Sequence, residues 1–211
     1  MRLVLAALMA AAVAVSCRTG GSDRPPLVRP GAPGQATRPI TVHEAVRAAD
    51  AGATAADVSF MQAMIGHHTQ ALEMTALLPA RTSRADMRLM ARRIELSQSD
   101  EIAFMQGWLK ARGHTVPDLH QHHQHGATLM PGMLTPEEMT RLEAASGIEF
   151  DRLFLEFMIR HHDGALIMVN ELFAIEGAGQ ESEMFAFASE VDTDQRIEID
   201  RMSAMLLELP K

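Results

Sequence analysis

The pattern Phe-x-x-x-Met-Ile-x-His-His-x-x-Ala-Leu-x-Met occurs at residues 60–74 and again at residues 154–168, an offset of 94 (154 − 60). A pattern repeated at this length means that one structural unit is used twice. A second element repeats with it. Ile94, Gln98, Glu101, Ile102 and Met105 return as Val191, Gln195, Glu198, Ile199 and Met202, at an offset of 97 (195 − 98). The three additional residues fit in the turn region of the second unit. Each unit then reads as a helical hairpin, and two hairpins make an all-α four-helix bundle.

The stop and start signals agree with that reading. Thr41-x-x-Glu44 is a capping box for a short helix that stops at Gly52. Asp57 is expected to cap a helix over 58–78 that Pro79 ends. Ser83 is expected to cap the next, which runs through Trp108 to Arg112 and stops at Gly113. Thr135-Pro136-Glu137-Glu138 joins a cap, a first-turn proline and acids on the positive end of the dipole. That helix yields near Gly147 to one over 150–176, closed by Gly177-Ala178-Gly179, and a last helix covers 181–207. No stretch alternates as a strand does.

Ahead of the bundle, Arg2 precedes an apolar run over 3–15 that ends at Ser16-Cys17. Such a run is a signal peptide, too short for a transmembrane helix. The ending Ala14-Val15-Ser16-Cys17 resembles a bacterial lipobox and makes Cys17 the expected lipid attachment point. Cys17 is the only cysteine, which excludes an intramolecular disulfide and a structural thiolate site. Residues 18–40 are rich in proline and glycine and read as a tether to the cell envelope. Residues 41–211 remain for one domain. The net charge of −8 argues against nucleic acid, so membrane contact is expected through the lipid alone.

At 3.6 residues per turn, His68 falls near the middle of the apolar arc of Met61, Met64, Ile65 and Leu72. His67, Ala71 and Met74 lie along its flank, while Gln62, Gly66, Gln70 and Glu73 face away. The same wheel places His162 with Leu155, Met158 and Leu166, and His161 with Met168 on the flank. Met64 and His68 are four residues apart, as are Met158 and His162, so each pair can present a thioether and an imidazole to one point. A single methionine at such a place is ordinary core filling. Sixteen methionines in 211 residues, with duplicated His-His pairs, suggest a soft metal ion instead. Thioether and imidazole favour Cu(I), or Ag(I) in its place, over cations that prefer oxygen. The ligand choice suits an oxidising compartment, where thiols are lost to disulfides.

Glu101 and Glu198 can face these histidines as hydrogen-bond partners behind a metal. Between the hairpins, residues 113–136 lack a helical pattern but hold His120, His122, His123, His125, Met130 and Met133. Such a histidine-rich tract offers a second, looser site for Cu(II) or Zn.

In the two His-His motifs and the doubled Gln-x-x-Glu-Ile-x-x-Met element, the chain resembles the domain-of-unknown-function 305 family over about residues 58–207. The resemblance implies a ferritin-like four-helix bundle, a location outside the cytoplasm, and copper or silver binding through Met and His in some members. Leu155 stands where the first copy has Met61, so the two copies differ in one thioether. The expected role is copper sequestration, tolerance or transfer to a copper-exporting or copper-accepting protein. Two other readings stay open. One is a ferritin-like dinuclear oxidase, although neither Glu101 nor Glu198 starts the Glu-x-x-His pair such centres use. The other is a helical interaction module whose histidines are structural.

Overall fold

The helices start where side chains satisfy their first amides. The structure, a computed structural model, describes residues 25–49, 52–118 and 129–210. Helix α1 (Val42–Ala49) opens on the Thr41/Glu44 box, the Glu44 carboxylate accepting from the Thr41 amide at 2.7 Å. In α2 (Ala55–Ala76) the cap is Thr54 and not Asp57, whose carboxylate instead reaches back to the Thr54 amide at 2.7 Å. Asp57 is thus the third-position acid of a reciprocal capping box. Its other oxygen accepts from the Gly179 amide at 2.7 Å and ties α2 to the far hairpin's turn.

Pro79 does not end α2. The helix stops at Ala76, and Pro79 falls in the first turn of α3 (Leu78–Arg81), where a proline loses no helical hydrogen bond. Helix α4 (Ala85–Ala111) likewise departs from expectation, because Arg84 and not Ser83 occupies its cap and no side chain bonds there. Thr82 Oγ1 accepts from the Arg84 amide in the turn instead. Helix α5 (Pro136–Ala144) opens on a Thr135/Glu138 box. Helix α6 (Gly147–Ala174) begins three residues earlier than expected, its first residue a glycine at φ +60°, and ends two residues earlier. Helix α7 (Ser182–Leu207) is capped by the Glu181 carboxylate.

Part of the proline- and glycine-rich stretch carries paired backbone that its composition did not suggest. Strands β1 (Val28–Arg29) and β2 (Arg38–Pro39) form a two-stranded antiparallel ribbon. It lies against the α6–α7 turn, where Arg29, Pro30 and Arg38 line a crevice with Phe173 and Gly177. A ribbon of two-residue strands is too small to stand alone and leans on the bundle.

Two apolar clusters divide the bundle along its length. One holds Met74, Met87, Ile94, Phe150, Phe154, Met158 and Met202. The other holds Phe60, Met61, Met64, Met105, Trp108, Met168 and Val191. Helix α2 runs from the second cluster to the first and α6 from the first to the second, so these two helices are antiparallel. Between the clusters every long helix contributes polar residues. These are His67 and His68 from α2, Gln98 and Glu101 from α4, His161 and His162 from α6, and Gln195 and Glu198 from α7. Each fully buried Met or Phe contributes about 1.5–3 kcal/mol, and this burial on both sides holds the polar layer out of water. Among the described residues no helix is long and apolar enough to cross a membrane.

Candidate metal centre

The four histidines of the layer are each 0% exposed. They form two kinds of pair. His68 Nε2 lies 2.5 Å from Glu101 Oε2, and His162 Nε2 lies 2.7 Å from Glu198 Oε2. A carboxylate accepts, so Nε2–H donates in both, and in a neutral ring this leaves the lone pair on Nδ1. His67 and His161 meet each other instead, with ring centroids 3.9 Å apart. His67 Nε2 donates to the Pro131 carbonyl at 3.0 Å, which again leaves Nδ1 as the lone-pair nitrogen. Neither ring nitrogen of His161 makes a hydrogen bond of good geometry, its nearest polar neighbour being the His67 backbone.

The layer therefore contains four buried Nδ1 atoms, on His67, His68, His161 and His162, without a hydrogen bond of good geometry. Burial pushes His67 down to about 3, and the neighbouring histidine adds to the shift. His161 is held well below the ordinary imidazole value by burial and then by His67. Both rings are neutral near pH 7 and keep the lone pairs that a metal ion needs. Carboxylate behind imidazole, as at Glu101 and Glu198, is the arrangement that orients metal-ligating histidines.

A short strap crosses over the His67/His161 pair. Gln70, expected to face away, is buried and bonds both polar groups of the Leu134 backbone: its Nε2 donates to the carbonyl at 3.0 Å and its Oε1 accepts from the amide at 2.7 Å. Pro131 and Gly132 press on α6 so closely that a Cβ at Gly164 would lie 2.0 Å from the Pro131 oxygen. Gly132, at φ +75°, is also tight, a Cβ there lying 2.4 Å from the Arg160 carbonyl oxygen. Arg160 in turn forms a two-pronged ion pair with Glu138 on α5, both contacts at 2.7 Å. Helix faces alone do not reveal this strap; the sequence signals for it are Gly132 and Gly164.

The structure brings His67, His68, His161 and His162 into one layer, with Glu101 and Glu198 on it. Met64 and Met158 are 0% exposed and flank the layer from opposite sides, one in each cluster. Met74 and Met168 sit farther along the same clusters. Met133 is buried beside the strap, and Met130 packs against the second cluster. His120, His122, His123, His125 and Cys17 lie outside the described residues. Among the described residues no three His, Cys, Asp or Glu side chains are grouped to hold an ion by themselves. A metal in the layer would therefore need thioether or amide donors beside imidazole.

The chain matches the family described as "Domain of unknown function (DUF305)" over residues 57–206. The chain belongs to this family. Among solved structures, a DUF305 fragment from Deinococcus radiodurans is 30% identical with a TM-score of 0.66, the match covering 75% of this chain and all of that one. A DUF305 protein from Streptomyces coelicolor is 28% identical with a TM-score of 0.62, covering 72% of this chain and 93% of that one. CopM in its Cu(II)-bound form is 27% identical with a TM-score of 0.58, covering 72% of this chain and 95% of its own. A Cu(I)-bound form of CopM is also similar, at 26% identity. The search of curated proteins gives no match.

Proposed function

We propose that this protein binds copper, Cu(I) foremost, in the middle layer of its bundle and holds or passes on the metal outside the cytoplasm. The observation that carries the reading is the set of four buried Nδ1 atoms without partners. An unpaired polar atom in a core costs about 1–3 kcal/mol, and the duplicated motif retains this feature in both halves. Met64 and Met158 supply soft donors one helical turn from His68 and His162. The copper-bound forms of CopM support the choice of metal. In this reading Glu101 and Glu198 orient the rings, and His67 and His161 are close or alternative ligands. The histidine tract takes Cu(II) or Zn at lower selectivity, and Cys17 carries the lipid that keeps the domain at the envelope.

The test is anaerobic Cu(I) titration of residues 18–211 against a competing chelator. Replacing His68 and His162 together by Gln should weaken Cu(I) binding at least about tenfold, or roughly 1.4 kcal/mol. Met64→Leu with Met158→Leu keeps the core volume, so stability should change by less than about 1.5 kcal/mol while Cu(I) binding falls. The His68–Glu101 and His162–Glu198 bonds would equally serve purely structural histidines. That second reading expects His→Gln to disturb folding, Met→Leu to be silent, and copper binding to survive both.

A further inference from the structure

Gln98 and Gln195 are 0% and 1% exposed, and neither the nitrogen nor the oxygen of either carboxamide has a hydrogen-bond partner. They are equivalent residues of the repeat, each three positions before the glutamate that holds a histidine. If these positions only filled the core, leucine would occupy similar volume without burying four polar atoms. Their place in the bundle is specific. Gln98 lies one helical turn from Ile94 of the first cluster and one turn from Ile102 of the second, in the polar layer between them. Gln195 lies between Val191 of the second cluster and Met202 of the first, in the same layer. The histidine layer thus holds two carboxamides of its own, with a thioether in the apolar cluster on either side.

We propose that Gln98 and Gln195 give the layer a harder subsite, in which amide oxygen and imidazole nitrogen take Cu(II) beside the thioether positions that take Cu(I). The proposal rests on the copper reading above and adds the oxidation state each side chain serves. Imidazole suits both states, thioether favours Cu(I), and oxygen donors favour the divalent ion. A site with both donor types at hand accepts copper in either state through local rearrangement of side chains.

The test uses the full chain with His120, His122, His123 and His125 replaced by Asn, which removes Cu(II) bound by the tract. Two double variants are made on it: Gln98→Leu with Gln195→Leu, and Gln98→Met with Gln195→Met. Cu(II) is followed by electron paramagnetic resonance and chelator competition, and Cu(I) by anaerobic competition. The leucine pair should weaken Cu(II) at least about tenfold and leave Cu(I) binding unchanged. The methionine pair should also lose Cu(II) but bind Cu(I) more tightly than the parent. Thermal melts should show that neither pair unfolds, because each removes buried amides without partners. Cu(II) affinity indifferent to both pairs, no Cu(II) in the parent's core, or equal loss of the two states would overturn the proposal. Absence of core Cu(I) binding in the parent would instead overturn the copper reading itself.

Discussion

At the scale of single residues, the neutral imidazoles make acid sensitivity a consequence of the core. His67 titrates near 3 in the fold and near 6.5 when unfolded. Between those values the unfolded chain binds the additional proton, so the stability due to neutral burial is complete above about pH 6.5. It is lost as pH falls toward 3. His161 is shifted in the same direction by burial and contributes with the same sign. Within that window His67 alone can give a slope of up to about 1.4 kcal/mol per pH unit. Urea melts from pH 7 to pH 4 should therefore fall more steeply for the native chain than for a His67→Gln, His161→Gln variant. Parallel pH curves for the two proteins would mean that these rings do not govern acid unfolding.

At the scale of elements, the hairpins were legible because their signals repeat. The Met-Ile-x-His-His pattern and the Gln-x-x-Glu element gave the four long helices and their pairing, since periodic burial follows directly from helix geometry. Caps were less legible: Thr54 and Asp57 both qualify at a helix start, and only the reciprocal hydrogen bonds separate cap from third position. The wheel failed at Gln70, because its polar face is covered by a strap from an aperiodic segment rather than by another helix. The His67/His161 contact was hidden for a different reason, because it depends on how α2 and α6 cross. The strap makes a testable demand. Gly164→Ala should destabilise by about 1–3 kcal/mol through overpacking against Pro131. Gly107→Ala, at an α4 position with open space around it, should instead stabilise by about 0.4–1 kcal/mol. Equal effects at the two glycines in denaturant melts would remove the strap from the account.

At the scale of the whole molecule, the apolar clusters insulate the histidine layer on both sides, and the hairpins are locked by Asp57 reaching Gly179. Among the described residues no helix is long and apolar enough to cross a membrane, and the envelope location proposed above rests on an anchor. The sequence offers one candidate for that, Cys17 at the end of an apolar run and ahead of the linker. A single acyl chain binds membranes marginally, whereas two or more hold stably. The expectation is therefore a diacylated Cys17 and a protein that sediments with membranes and is released by detergent but not by salt. Cys17→Ser should move it to the soluble fraction or stall its processing, without altering the copper affinity or melting of the purified domain. Those two outcomes belong together, because Cys17 is neither among the residues proposed to hold the metal nor in either apolar cluster. A native protein recovered entirely as a soluble species would leave the metal layer as proposed and remove the anchor.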